Sequence, residues 1–373
     1  MSSLCFKNKK FRIMLVGDPH EKELSDEADA QNKIKDYLSL QYEAVKRLHP
    51  DLVVLMGDNA SSSTPEGIRE ILLRITAPYK EANIPFTFIL GNHDLETKVS
   101  DLNVQYSVYK SLPGIIFPEE YTKNGNYHLM VRSSDNSENV LNLWYIYNGM
   151  HPEKKYHSHY SSVSAEQIEW YEKTAKSLYK NNVPLPAILF QHVPVAEEFA
   201  LLKEHSPAVM LTDGVAGQDG HYGKYYNLKK STSGYMGEAP CPADYNNGQF
   251  DSWLKTGDIF AAFFGHDHMN DLCGKVSGIT LGQCKTSSFR VYGDGMMQGV
   301  RIIDLDENNI KDLKTEMVYY RDIIGKDCRS LHGADKILRD RTSVKLDAVK
   351  TAAKIIAPVA IPLIGLKMSK KMR

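Results

Sequence analysis

Residues 86–94 read FTFILGNHD, a short unbroken apolar run closed by Gly91-Asn92-His93-Asp94. The apolar part is too short for a helix of ordinary length and is rich in Phe and Ile, so it reads as a strand buried on both faces. The polar closure then falls at the strand's C-terminal end. The same grammar recurs along the chain. Phe11 to Val16 (FRIMLV) runs into Gly17-Asp18, and Leu52 to Met56 (LVVLM) into Gly57-Asp58. Ala187 to Phe190 ends in Gln191-His192, and Ile259 to Phe264 in Gly265-His266. Leu141 to Tyr147 is a further run of this kind.

Helical spacing separates the runs. Ile34, Leu38, Tyr42, Val45 and Leu48 predict a helix over residues 31–48, and residues 66–82 read as another. Alternating buried strands and helices imply an α/β fold, in which ligands bind beyond the C-terminal ends of the strands. Residues from about 206 to 257 are rich in Gly, Tyr and Asn and read as a long excursion that walls a site. Strand-like runs return over Thr280 to Asp304 and Thr315 to Tyr320.

Composition narrows the function classes. With 373 residues and 42% hydrophobic content the chain can bury a sizeable core. A net charge of -1 argues against a coat for nucleic acid, and no stable nucleic-acid binding is expected. The cysteines, Cys5, Cys241, Cys273, Cys284 and Cys328, form no C-x-x-C pair, so a thiolate zinc site is not expected and free thiols are. Met1 to Lys10 is polar and basic without an apolar h-region, so no secretory signal is expected and the cytoplasm is the expected compartment.

The strand ends carry Asp18 and His20 as D-x-H, Asp58 in G-D-N, Asn92 and His93 in G-N-H-D, His192 in F-Q-H-V-P, and His266 and His268 in G-H-D-H. A site for two metal ions roughly 3.5–4 Å apart needs imidazole and carboxylate ligands, one of them a bridging carboxylate. It also needs a group to protonate the leaving oxygen. Each motif alone is weak; Asp58 by itself could equally cap a helix. All five in this order, each after a strand, form a specific set.

That set resembles the calcineurin-like metallophosphoesterase superfamily over about residues 11–305. Gly257 to Gly274 is similar to a branch related to purple acid phosphatases. True purple acid phosphatases place a tyrosine three residues after the bridging Asp and have D-x-G in the first motif. Here those features are Ser61 and D-x-H, so the charge-transfer colour is not expected. The resemblance implies a four-layer α/β/β/α sandwich of two mixed sheets flanked by helices, occupying residues 1–325, with a tail over 326–373. It implies two divalent or trivalent ions (Mn, Fe or Zn). One is held by Asp18, His20, Asp58 and His268, the other by Asp58, Asn92, His192 and His266. A metal-bridging hydroxide is the implied nucleophile, His93 the acid, and Asp94 its orienting partner. A phosphomonoester is the expected substrate. A phosphodiesterase and a non-catalytic scaffold are the alternatives.

Other features carry less. His157 and His159 form H-x-H in a polar stretch with no strand before it, which reads as a surface or rim loop before a third metal site, with contact to substrate phosphate as the sharper hypothesis. Asp267 is expected to face solvent or sit behind the ligands, His128 to be ordinary, and His221, in the long excursion, to be solvated or to line the cleft. The apolar run Ile355 to Leu366, interrupted by Pro358 and Pro362 and followed by basic residues, is too short to span a bilayer. It reads first as a docked or partner-binding tail, and second as a weak membrane-surface contact.

Overall fold

The computed structural model describes residues 4–148, 160–243 and 245–332. His157, His159 and the apolar tail lie outside them. The buried runs form the inner strands of two mixed sheets. In the five-stranded sheet, Lys10–Val16 lies beside Leu52–Met56, which lies beside Phe86–Ile89, all parallel. Gly299–Asp306 and Lys314–Tyr319 extend the other side in antiparallel fashion. The seven-stranded sheet has a parallel centre of Asn139–Ile146, Ala187–Gln191, Ile259–Phe264 and Ile279–Gln283.

The alternation of side chains shows how the sheets are covered. On Ala187–Gln191, Ile188 and Phe190 join the core shared with the other sheet. Ala187 and Leu189 instead pack with Tyr171 and Trp253 of the helices Ala165–Ser177 and Gln249–Thr256. Ala261 and Phe263 against Ala262 and Phe264 repeat the division. The five-stranded sheet is covered outside by Ala28–Leu48, Pro65–Glu81 and Leu102–Lys110, whose apolar stripes (Ile34, Tyr37 and Leu40; Ile68, Ile71 and Leu72) enter the shared core. The result is the expected four-layer α/β/β/α sandwich. Each large side chain removed from water contributes about 1.5–3 kcal/mol, so this interior fixes the strands firmly.

Register brings the strand ends level. Val16 pairs with Leu55 and Met56 with Ile89, while Phe264 pairs with Gln191. Two readings need correction. Residues 284–298 do not continue a strand: Ser287 N–H and Oγ donate to the Gly17 carbonyl (2.8 and 2.9 Å), and Thr286 Oγ donates to the Asp18 carbonyl (2.8 Å). These bonds draw the chain into a buried loop against the first motif. The excursion also has structure of its own, a small antiparallel sheet of Leu202–His205, Tyr225–Leu228 and Val215–Ala216. No helix among the described residues is long and apolar enough to cross a membrane.

Two polar residues of the first helix are buried, Asp36 and Gln41. Asp36 accepts from the Arg329 and Ser330 N–H groups (2.8 and 2.7 Å) and from Ser330 Oγ (2.7 Å), tying residues 328–330 to the domain. Burial pushes its carboxyl up, but the Ser330 bonds outweigh that and hold it below its usual value. Its contribution is therefore present above the usual carboxylate range and is lost as pH falls through the lowered value. Asp36→Ala is expected to lower the unfolding free energy by about 2 kcal/mol at neutral pH, from loss of a buried charged acceptor shared by several hydrogen bonds. Urea titrations should show this deficit narrowing below about pH 4.

Candidate metal centre

The five strand-end motifs meet at one edge of the sandwich. Asp18, Asp58 and His192 are buried almost completely, Asn92 and His268 nearly so, while His93 is exposed. Asp58 Oδ2 lies 3.4 Å from His20 Nε2 and 3.2 Å from His192 Nε2, so one carboxylate oxygen faces both histidines. Asp18 Oδ1 lies 3.7 Å from His268 Nε2 and 3.9 Å from His192 Nε2. The Nε2 atoms of His20 and His268 are 3.1 Å apart, and Asn92 Oδ1 is 3.2 Å from His192 Nε2. Two groups of donor atoms suited to a metal result: Asp18, His20 and His268, and Asp18, Asp58 and His192. His266 stands at the border, its ring edge-on to His192 with centroids 5.3 Å apart.

Backbone carbonyls fix two of the imidazoles. His192 Nδ1–H donates to the Met56 carbonyl (2.8 Å), and His268 Nδ1–H donates to the Tyr292 carbonyl (3.1 Å). Both bonds turn Nε2 inward as the ligating atom, as such outer bonds do in metal sites. The glycine before a motif permits the approach. A Cβ on Gly57 would lie 2.4 Å from His192 Nδ1, and one on Gly91 would lie 2.2 Å from Asp58 Oδ1. Asp18, His20, Asp58 and His266 adopt φ of 45°, 46°, 51° and 71°. That left-handed conformation costs a side-chain-bearing residue about 1–2 kcal/mol, so packing of the sheets must enforce it.

The electrostatics ask for a cation. Among the described residues, no lysine or arginine pairs with Asp18 or Asp58. Burial pushes the Asp18 carboxyl well above its usual range. Burial would raise Asp58 too, but the charge of His192 outweighs it and holds Asp58 low. Burial alone would lower His192; the Asp58 carboxylate overrides it and lifts the imidazole to about 10. Burial keeps His20 and His268 neutral, lowered to about 4 and about 3. Buried carboxylates and neutral imidazoles converging on a common space suit Mn, Fe or Zn, and the donor set fits two ions.

Asp94 requires a correction. It does not touch the His93 ring. Its Oδ2 accepts from Gly91 N–H (2.7 Å), and its Oδ1 accepts from Asn59 and Ala60 N–H (2.9 and 3.2 Å), so it staples the Asp58 loop to the Asn92 loop. The ring nitrogen of His93 instead pairs with Glu96. His93–Leu95 is a 3₁₀ turn, where side chains three apart eclipse and adjacent ones diverge. That spacing was the signal for Glu96. Asp58 caps no helix; its Oδ1 accepts from His93 N–H (2.8 Å). Asp267 is buried, not solvent-facing, and accepts from Gln283 (2.6 Å) behind the ligands. His128 is paired with Asn142, and His221 stacks on Phe199, away from the donor set. None of the five cysteines is in a disulfide.

Comparison with known proteins agrees with this geometry. The profile of the family described as calcineurin-like phosphoesterase matches residues 11–270 of the 373. The Arabidopsis thaliana protein named probable inactive purple acid phosphatase 29 is 26% identical over 293 residues, covering 71% of this chain and 69% of its own. Probable inactive purple acid phosphatase 14 of the same plant is 26% identical over 325 residues, covering 79% and 75%. A dimetal phosphatase from Danio rerio superposes over 83% of this chain and 99% of its own at 11% identity, with a TM-score of 0.47, too loose a match to inform the site.

Because His192 holds a proton up to about pH 10 in the metal-free fold, coordination at Nε2 must displace it. Loading the protein with Mn at pH 8 is expected to release at least one proton per chain, read with an indicator dye in weak buffer. Affinity for Mn should fall as pH is lowered from 9 to 7. Uptake that is independent of pH over this interval would contradict the His192–Asp58 ion pair.

Proposed function

This chain belongs to the calcineurin-like phosphoesterase family, and from that premise we propose that it is a two-metal phosphoester hydrolase acting on phosphomonoesters. The observation that carries the reading is the convergence of Asp18 and Asp58 on the inward Nε2 atoms of His20, His192 and His268. One ion would be held by Asp18, His20, Asp58 and His268 and the other by Asp58, Asn92, His192 and His266; when bound they would neutralise phosphoryl charge and activate water.

The chain's own groups then divide the work. Asp58 Oδ2, facing histidines of both sets, suits the bridging position. Asp94 holds the two ligand loops at a fixed separation. His93 is anchored through its N–H to Asp58 and backed at Nδ1 by Glu96, which leaves Nε2 to carry the proton given to the leaving oxygen. Its exposure gives substrate access to it. Residues 95–140, 160–165 and 205–257 are the candidate walls that would separate monoester from diester.

The names of the Arabidopsis relatives favour a second reading, a fold kept without turnover. That description belongs to those proteins; this chain carries every ligand position and His93. Parallel assays of the Mn-loaded protein on 4-nitrophenyl phosphate and its bis-ester test the choice. Faster turnover of the monoester is expected. Two bound metals with no hydrolysis of either ester would leave the non-catalytic reading.

Two variants test the division of roles. His93→Ala should lower kcat by about 10²–10⁴-fold with unchanged metal content. Asp94→Asn should weaken metal binding by about 10–100-fold, read by competition with a chelator, because its effect passes through the ligand loops.

A further inference from the structure

Tyr292 is an aromatic side chain that the hydrolytic chemistry does not use. It is 57% exposed, yet it is held at several points. Its ring stacks on His268, with centroids 4.4 Å apart and planes 27° from parallel. Its hydroxyl donates to Glu238 Oε2 (3.0 Å), and Glu238 is itself fixed by accepting from Met269 N–H (3.0 Å). Its carbonyl is the acceptor that orients His268.

The loop that carries it is anchored as well. Buried Lys285 reaches Asp294 Oδ2 (3.3 Å) and Asp271 Oδ2 (2.9 Å). Gly293 packs so closely that a Cβ there would lie 2.3 Å from Gln298 Nε2. The G-H-D-H motif thus has a tyrosine against each of its histidines, Tyr292 on His268 and Tyr160 edge-on to His266 with centroids 4.3 Å apart.

We infer that Tyr292 is a specificity-determining residue: its exposed ring, fixed beside His268, stacks with a planar aromatic or heteroaromatic ring on the leaving group of the phosphoester. The inference rests on the phosphoester reading of the site above. One face of the Tyr292 ring is covered by His268, itself a member of the donor set, while the side chain as a whole stays largely exposed. An aromatic surface immobilised before the ligand arrives loses little conformational freedom on binding, so stacking is retained as affinity. Ring-on-ring contact of this kind changes affinity by about tenfold or more. A purely supporting role, in which Tyr292 only packs His268, predicts no distinction between ligands with and without a ring.

The Mn-loaded protein titrated calorimetrically with phenylphosphonate and methylphosphonate, which cannot be hydrolysed, separates the two. Phenylphosphonate should bind about tenfold tighter than methylphosphonate to the wild type and to Tyr292→Phe. Tyr292→Leu, which keeps an apolar contact with His268 but has no ring, should bring the gap to about twofold or less, with metal content measured for each protein. Equal affinities in the wild type, or a gap that persists in Tyr292→Leu, would overturn the inference. Turnover of phenyl phosphate is read separately. A phosphonate gap without hydrolysis keeps the ring subsite and removes the hydrolase reading; hydrolysis without a gap does the reverse.

Discussion

Two carboxylates, Asp18 and Asp58, are buried side by side among histidines, with no lysine or arginine against either among the described residues. Like charges in a low-dielectric interior are costly: burial pushes Asp18 well above its usual range, while the charged His192 beside Asp58 holds that carboxylate low. Much of the surrounding structure serves that arrangement. Gly57 and Gly91 let backbones come within reach of the acidic loops, the left-handed residues turn the side chains inward, and the carbonyls of Met56 and Tyr292 decide which ring nitrogen faces the centre. Metal ions held there would displace the His192 proton and leave a net positive centre able to take an anionic phosphoester.

Such a centre needs a rigid frame. Three motif loops leave one sheet and two leave the other, so the site straddles the two sheets. Their relative position is set by the shared core, to which Ile188, Phe190 and Phe263 of one sheet and Leu15 and Val54 of the other all belong. Interiors of this density resist small displacements, and side chains on strand ends inherit that stiffness better than side chains on free loops.

The strands and their terminal motifs were legible because a strand buried on both faces writes itself as a continuous apolar run, and the residues that interrupt it stand at the sheet edge. Asp18, His20, Asp58, His192 and His268 could be read in this way. Other features could not. The partner of His93 follows from a 3₁₀ turn that puts Glu96, and not the adjacent Asp94, beside the ring. The acceptors of His192 and His268 are main-chain carbonyls, to which side-chain identity gives no clue. Residues 284–288 looked like a strand, yet their hydroxyls bond to Gly17 and Asp18 across the molecule. Tyr292 stands far from the G-H-D-H motif in the chain, so only folding shows the contact.

The Gly299–Asp306 strand pairs with Lys10–Val16, with Arg301 opposite Leu15 and Ile303 opposite Ile13. The first motif strand is therefore flanked on one side by a segment made almost three hundred residues later. During synthesis, Asp18 and His20 emerge early, while His266, His268 and this flanking strand emerge late. Such long-range pairing slows folding and leaves an unpaired edge exposed on the nascent chain. The full donor set thus cannot assemble on a partly made protein: it waits until His266, His268 and the flanking strand have left the ribosome.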